Sequence, residues 1–251
     1  MGAAIIIPAR FASTRLPGKP LLKETGKYLI QHVHEQAMRC RRAASVLVAT
    51  DDPRIRAAVE SFGGQAAMTR RDHPSGTDRI AEAAASVEED ILVNLQGDEP
   101  LIDPADLDRL ISLLEDDPGA GMATLAAPIR DEEQWRNPNC VKAVVAGETA
   151  LYFSRSPVPF VRDGVPDFAA RPARFLQHVG IYAYRREFLK RFAALPPSAL
   201  ERTEKLEQLR VLENGCRIKV ATIARTTLGV DTREDYRRFV ESCRAQGRRA
   251  A

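Results

Sequence analysis

Three cations and two carboxylates, spread over three segments, are the residues of this chain best suited to chemistry. Arg10, Arg15 and Lys19 all fall within Pro8–Pro20 (PARFASTRLPGKP), a stretch without a single acid. An arginine fork grips phosphate oxygens in pairs, and a lysine supplies a compact positive charge. The loop is therefore fitted to a triphosphate, with Gly18 letting backbone come close to a ligand. It is not a Walker A loop, because Pro20 follows Gly18-Lys19 where Ser or Thr would be needed, and the chain holds no Gly-x-Gly-x-x-Gly. Asp98 lies in Asn94–Pro100 (NLQGDEP), where Gly97 is read as the residue that turns the chain. Mg²⁺ commonly takes one or two protein carboxylates and completes its shell with phosphate oxygens and water. An isolated Asp beside a Gly is usually a turn acid; facing a phosphate loop, Asp98 reads instead as a metal ligand. Asp231, in Leu228–Thr232 (LGVDT), taken alone is a turn residue before a helix capped by Thr232. Paired with Asp98, it becomes the second candidate ligand.

Other polar groups read more plainly. Ser75–Arg79 (SGTDR) has the form of a helix start capped by Thr77, with His73, Arg70 and Arg71 beside it on the surface. His32 and His34 ride an amphipathic helix as structural or exposed residues. Glu207 and Gln208 fall off the Leu206, Leu209, Leu212 stripe of a helix expected over Ser198–Gly215, and so read as its solvent face.

The elements that would position these groups alternate. Ala3–Ile7, Ser45–Ala49 and Ile91–Leu95 are short, continuous apolar runs rich in β-branched residues, the pattern of strands buried on both faces. Helices are expected over Leu29–Arg42, from Asp52-Pro53 to Gly63, over Asp78–Ser86 and from Asp103-Pro104, with a brief strand at Gln65–Met68. Such alternation predicts a parallel sheet with right-handed crossovers. Ligands bind beyond the carboxyl ends of its strands, which are the loops after Ile7, Ala49 and Leu95. The second half predicts strands at Gly121–Ala127, Val141–Val145, Ala150–Phe153, His178–Tyr184 and Ile218–Ile223, a proline-rich loop over Arg155–Arg174, and a last helix after Thr232. The expectation is one domain over residues 1–251 with an inserted subregion.

Composition narrows the classes. Hydrophobic residues at 44% and charged residues at 28% are ordinary for a soluble globular chain. A net charge of +3 gives no basic surface that would call for nucleic acid. Cys40, Cys140, Cys216 and Cys243 form no Cys-x-x-Cys pair, so neither a zinc site nor a thioredoxin-like pair is indicated, and scattered thiols fit a reducing cytoplasm. No apolar run has the length of a membrane span, and the N-terminal run is too short for a signal peptide.

In order along the chain, Pro8–Pro20, Ala49–Asp51, Ser75–Arg79, Gln96–Pro100, His178–Tyr182 (HVGIY), Leu206–Arg210 (LEQLR) and Gly229–Thr232 closely resemble the motifs of the 3-deoxy-manno-octulosonate cytidylyltransferases. The first loop alone would indicate only the wider sugar nucleotidyltransferases. Tyr28 departs from the family's usual Pro at that position. The resemblance implies a Rossmann-like three-layer α/β/α sandwich with a mostly parallel central sheet, a sugar-binding and dimerisation insertion at about 150–185, and a homodimer. It also implies transfer of CMP from CTP to the anomeric hydroxyl of 3-deoxy-D-manno-octulosonate (Kdo) for lipopolysaccharide synthesis, with Mg²⁺. By that resemblance Pro8, Ala9, Arg10, Arg15, Lys19, Ser75, Gly76, Arg79 and Gln96 hold CTP. Asp98 and Asp231 carry the metal, and Arg10, Lys19 and the two aspartates are catalytic. Arg155, His178, Tyr182, Glu207 and Gln208 face the sugar acid. Two other readings stay open at this level: a cytidylyltransferase for another sugar acid such as sialic acid, and a nucleotide sensor without turnover.

Overall fold

A computed structural model describes residues 2–13, 15–73, 75–226 and 229–250, the side chains of 246–250 excepted. Thr14 of the phosphate loop and Leu228 of the LGVDT segment lie outside the described residues. The chain divides into two compact units, Met1–Asp108 with Thr227–Ala251, and Arg109–Thr226.

The first unit is built on four parallel strands: β1 (Ala3–Ala9), β2 (Ala43–Thr50), β3 (Gln65–Met68) and β4 (Ile91–Asn94). Their order is β3-β2-β1-β4, all parallel. Ile5, Ile6 and Ile7 are fully buried, each contributing on the order of 2 kcal/mol. The crossovers run through α1 (Leu29–Ala37), α2 (Pro53–Ser61) and α3 (Gly76–Ala83). Asp52 caps α2, accepting from the Arg54 N–H at 2.9 Å, with Pro53 at the first helical position, as expected. The chain steps outward from β1 to β3 and then returns to the other side of β1 with β4. That reversal opens a crevice at the carboxyl ends of β1 and β4, and the Pro8–Pro20 and Leu95–Pro100 loops leave from these two strands. The next helix, α4 (Pro104–Asp116), contains the boundary between units.

The second unit holds β5 (Met122–Pro128), α5 (Glu132–Arg136), β6 (Lys142–Ala146), β7 (Thr149–Ser154), β8 (Leu176–Arg185), α6 (Arg186–Ala194), α7 (Ala199–Glu204), α8 (Gln208–Glu213) and β9 (Ile218–Thr222). Only β5 and β9 run parallel there. β5–β8, β6–β7, β6–β8 and β7–β9 are antiparallel; of these strands β7 and β8 lie in or at the edge of the 150–185 stretch and the others outside it. No helix or strand interrupts the chain between Ser154 and Leu176. The chain ends in α9 (Arg233–Ala250), back in the first unit.

One expected helix is two. The chain breaks between α7 and α8 at Lys205, which adopts a left-handed conformation (φ 54°). The Ser198–Glu201 capping box opens α7 as the sequence indicates. The Glu201 carboxylate then takes a bidentate pair of bonds from Arg210 of α8, at 2.7 and 2.6 Å, so the two short helices are clamped across the break. Two further helices add to the expected set. For α6 the signal is Phe188, Leu189 and Phe192, apolar at helical spacing; α5 is a single short turn around Trp135, too brief for a periodic pattern.

Candidate active site

The crevice of the first unit is a cavity of about 270 Å³. Every residue expected to meet CTP lines it: Pro8, Ala9, Arg10, Arg15, Lys19, Ser75, Gly76, Arg79 and Gln96, joined by Asp98 and Asp231. Gly97 lines it, and Gly18 shapes the loop beside it. Gly97 is needed for space rather than for a turn conformation, because a Cβ there would stand 2.9 Å from the Pro8 carbonyl oxygen. Gly18 has φ +68° and lies against the Phe11 ring, and its N–H donates to the Phe11 carbonyl at 3.0 Å. That bond folds the cationic loop back on itself.

Lys19 is the hub. Its ammonium donates to Asp98 Oδ2 at 2.7 Å, to Asp231 Oδ1 at 3.1 Å and to the Val230 carbonyl at 3.1 Å. Arg15 approaches the other oxygen of Asp231 at 3.0 Å. The backbone joins the two carboxylate segments, since Val230 N–H donates to the Asp98 carbonyl at 2.7 Å. Thr232 caps α9 as expected, accepting from the Asp235 N–H at 3.1 Å. Asp98 and Asp231 thus converge on one cationic centre from residues far apart in sequence. Two carboxylates aimed at a single point, open to a cavity and ringed by phosphate-type donors, are a donor set that fits Mg²⁺ completed by phosphate and water. Among the described residues no group of three or more His, Cys, Asp or Glu gathers to hold a metal without such help.

The other wall of the cavity comes from the start of α3. Ser75, not Thr77, is the cap: its hydroxyl oxygen accepts from Asp78 N–H at 3.2 Å, while Thr77 is buried. Arg79 is buried and paired, donating to Asp51 Oδ2 at 3.2 Å and to the Thr69 hydroxyl. Its guanidinium is therefore fixed rather than mobile. His73 also departs from expectation. Its side chain is only 4% exposed, it bonds to Glu82 through Nε2, and it lines the cavity. That hydrogen bond is the main reason the Glu82 carboxyl is held below its ordinary range. The partner sits along α3, so nothing adjacent in sequence marks His73.

The residues expected to face the sugar acid all fall in the second unit and form a different kind of surface. His178 is buried, its Nε2 2.9 Å from the Thr124 hydroxyl, and desolvation pushes its pKa down to about 3. The His178 and Tyr182 rings lie 5.4 Å apart. Tyr182 O–H donates to Gln208 Oε1 at 3.2 Å, and desolvation together with the Glu207 charge holds the phenol protonated. Gln208 is no solvent-face residue: it is 2% exposed, because the break at Lys205 turns α8 inward. Among the described residues its buried Nε2 has no hydrogen-bond partner. Glu207, the residue before α8, stays partly exposed.

Arg155, expected to face the sugar acid, is tied to backbone carbonyls. It donates to the Glu204 carbonyl at 2.7 Å, the Pro138 carbonyl at 2.9 Å and the Lys205 carbonyl at 3.4 Å. A guanidinium has five N–H donors, so two remain outside these bonds. Behind it Lys142 is fully buried, its ammonium donating to the carbonyls of Asn137, Cys140 and Arg155 at 3.0, 2.7 and 2.7 Å. Lys142 anchors Arg155, and Arg155 brackets the turn that leads into Glu207 and Gln208.

Comparison with known proteins decides the family. The family model described as cytidylyltransferase matches residues 4–219. A 3-deoxy-manno-octulosonate cytidylyltransferase of Geobacter sulfurreducens is 52% identical over 247 residues, covering 96% of this chain and 99% of that protein. The chain belongs to the 3-deoxy-manno-octulosonate cytidylyltransferases. The family member from Escherichia coli is 52% identical over 231 residues, with 92% of this chain and 91% of that protein covered. Among solved structures, CMP:2-keto-3-deoxy-manno-octonic acid synthetase complexed with CTP superposes with a TM-score of 0.91 at 48% identity, covering 98% of this chain and all of that one. The α/β architecture is thus the family's own, with the first unit's parallel strands carrying the cationic cavity.

Proposed function

We propose that this protein transfers CMP from CTP to the anomeric hydroxyl of Kdo, giving CMP-Kdo and pyrophosphate for lipopolysaccharide synthesis. The observation that carries this reading is the convergence of Asp98 and Asp231 on Lys19 within one cavity, in a chain 48% identical to a synthetase solved with CTP.

The chemistry is a direct in-line displacement. The sugar's C2 oxygen forms a bond to the α-phosphorus, the bond from that phosphorus to the bridging oxygen breaks, and pyrophosphate leaves. The hydroxyl proton goes to solvent water, the cavity's two carboxylates being engaged with Lys19. No covalent intermediate on the protein is needed. Catalysis is then positioning and charge neutralisation. Arg10, Arg15 and Lys19 hold the β- and γ-phosphates and stabilise the charge that builds on pyrophosphate. Ser75, Gly76, Arg79 and Gln96 hold the cytidine side, with Pro8 and Ala9 as backbone wall. When bound on Asp98 and Asp231, Mg²⁺ would neutralise negative charge on the phosphate oxygens. Lys19 would then exchange its carboxylate partners for phosphate.

On the sugar side, Arg155 has donors left for a carboxylate, and Gln208 Nε2 is a buried donor in want of an acceptor. His178, Tyr182 and Glu207 complete the sugar-acid set. The chain acts as one nucleotidyltransferase domain over residues 1–251, a reading supported by a family match that runs through both units. It works as a homodimer in the cytoplasm. Leu151, Phe160 and Val165 leave large apolar side chains exposed within 150–185, which supports that stretch as a contact between copies. No helix among the described residues is long and apolar enough to cross a membrane.

The test is pyrophosphate release with CTP against a panel of sugar acids including Kdo and sialic acid, with and without Mg²⁺. Turnover with Kdo and Mg²⁺ is expected. Turnover with sialic acid alone would replace the substrate, and CTP binding without turnover on any of them would leave a sensor.

A further inference from the structure

The hydroxyl of Thr124 sits at the centre of the buried sugar-side network, and nothing above gives it a task. Around its oxygen stand the Val179 carbonyl at 3.1 Å, the Ile181 carbonyl at 2.8 Å and His178 Nε2 at 2.9 Å. The arrangement depends on an irregularity in the ladder. Thr124 pairs with Tyr182 and Leu125 with Val179, so Gly180 and Ile181 are extra residues on β8. The bulge brings two β8 carbonyls to one side chain of β5.

Counting protons fixes the imidazole. A threonine hydroxyl has one hydrogen, and carbonyl oxygens only accept. If that hydrogen went to Nε2, two carbonyl oxygens would face the hydroxyl oxygen at close range with no hydrogen between them. If Nε2 carries a hydrogen and donates to Oγ1, the single hydroxyl hydrogen is free for the carbonyls, given to the nearer Ile181 oxygen or shared between the two, and at most one oxygen–oxygen contact is left without it. The second arrangement places the ring's only hydrogen on Nε2. Burial keeps the ring neutral, and the rings of Phe153 and Tyr182 at 4.9 and 5.4 Å hold its plane. Among the described residues, Nδ1 makes no hydrogen bond.

We infer that Thr124 is a positioning residue that fixes His178 as the neutral Nε2–H tautomer, leaving Nδ1 to accept a hydroxyl hydrogen from the sugar acid instead of donating to its carboxylate. The inference rests on the sugar-side reading of His178 given above. It assigns the two polar classes of the substrate to separate residues. Hydroxyls are read by His178 Nδ1 as acceptor and Gln208 Nε2 as donor. The carboxylate is left to Arg155, whose charge does not depend on a tautomer.

The experiment is nitrogen NMR on the full-length enzyme labelled in histidine, with the His178 signals assigned by their loss in His178→Gln. At pH 7.5 the wild type is expected to show Nδ1 as the unprotonated, pyridine-type nitrogen and Nε2 as the protonated one. Thr124→Val removes the hydroxyl while keeping the shape. It is expected to abolish that fixed signature and to raise KM for Kdo roughly tenfold, the scale of one hydrogen bond. KM for CTP and kcat should each change by less than about twofold. Thr124→Ser restores the hydroxyl and should restore both the spectrum and KM. A wild-type spectrum with Nδ1 protonated, or with an imidazolium, overturns the inference whatever the variants do. So does Thr124→Val with an unchanged KM, or Thr124→Ser as impaired as Thr124→Val. A wild-type enzyme inert with Kdo would instead strike the functional reading, and the spectrum decides the tautomer separately.

Discussion

The two polar regions of this molecule use opposite physics. The nucleotide cavity is made of full charges near water. Asp98 and Asp231 are 26% and 42% exposed in their side chains, and Arg15 is 64% exposed. The sugar-side network of His178, Tyr182, Thr124 and Gln208 is neutral and desolvated. On the proposed function, the difference follows from the ligands. A triphosphate is matched by long-range charge, which tolerates water and small errors in placement. A polyhydroxylated sugar acid is told from its relatives by hydrogen bonds to hydroxyls, which discriminate strongly only where an unpaired partner is costly. The cavity should therefore fail through lost charge with the fold intact. The network should fail through lost recognition or altered stability.

The largest effect belongs to charge. Asp98→Asn keeps the shape but removes one of the two carboxylates on Lys19. Turnover is expected to fall by at least about a hundredfold, the scale of losing one electrostatic stabiliser, with the melting temperature nearly unchanged. Steady-state pyrophosphate release at saturating Mg²⁺ checks this. Near-normal activity there would remove Asp98 from the metal site and undo the contrast on its charged side.

The buried side has its own signature, in pH. His178 is held at about 3 against an ordinary 6.5 because burial disfavours its charged form. Above pH 6.5 both folded and unfolded states are neutral there, so it adds no pH dependence. As pH falls from 6.5 towards 3 the unfolded state takes up a proton that the folded state refuses, and stability falls. One such proton amounts to about 1.6 kcal/mol lost between pH 6.5 and 5. Urea unfolding at pH 7.5 and 5.0 should show a smaller loss for His178→Gln than for wild type. Equal losses would mean that His178 is not held neutral.

Next is the orphaned amide. Gln208 Nε2 is buried without a partner among the described residues, a state that ordinarily costs about 1–3 kcal/mol. Gln208→Met removes that burden and also the donor. KM for Kdo is expected to rise roughly tenfold while KM for CTP stays put; thermal stability should change little, because the relief of the amide is offset by the loss of the acceptor for Tyr182 O–H. A variant that binds Kdo normally would show that the amide is not waiting for the sugar. One that loses CTP affinity equally would dissolve the division of labour between the regions.

The same division governs what the sequence makes legible. The parallel strands of the first unit are visible as apolar runs, and the sheet rule then says where their loops must act. That Pro8–Pro20 and Asp98 share one cavity is legible in the sequence because chain topology, not side-chain packing, brings them together. Even there, His73 reads as a surface residue because its partner Glu82 lies along α3, and Gly97 is needed for the approach of Pro8 rather than for a turn. The sugar side depends on two local irregularities that composition does not announce. One is a non-glycine residue, Lys205, in a left-handed conformation, which splits a helix and turns Gln208 inward. The other is the β8 bulge that gathers two carbonyls on Thr124. Family resemblance can name His178, Tyr182 and Gln208, but spacing alone places Gln208 on a solvent face.

The smallest effect is the most pointed test of how charge is used in the cavity. Arg15 pairs with Asp231 at 3.0 Å, yet both are well exposed, so the pair itself should contribute less than about 0.5 kcal/mol to stability. Arg15→Ala is therefore expected to leave the unfolding midpoint in urea almost unmoved. Its consequence should appear with CTP, as a severalfold rise in KM that shrinks as salt is added, because exposed charges are screened over about 8 Å at physiological ionic strength. Lys19 is only 14% exposed and touches both carboxylates, so the Lys19→Ala defect should persist in high salt and extend to kcat. The paired salt series separates an arginine that attracts the triphosphate from a lysine that holds the reacting groups. Identical salt responses for the two variants would mean that the loop acts as one diffuse patch of positive charge and that Lys19 has no special place in it.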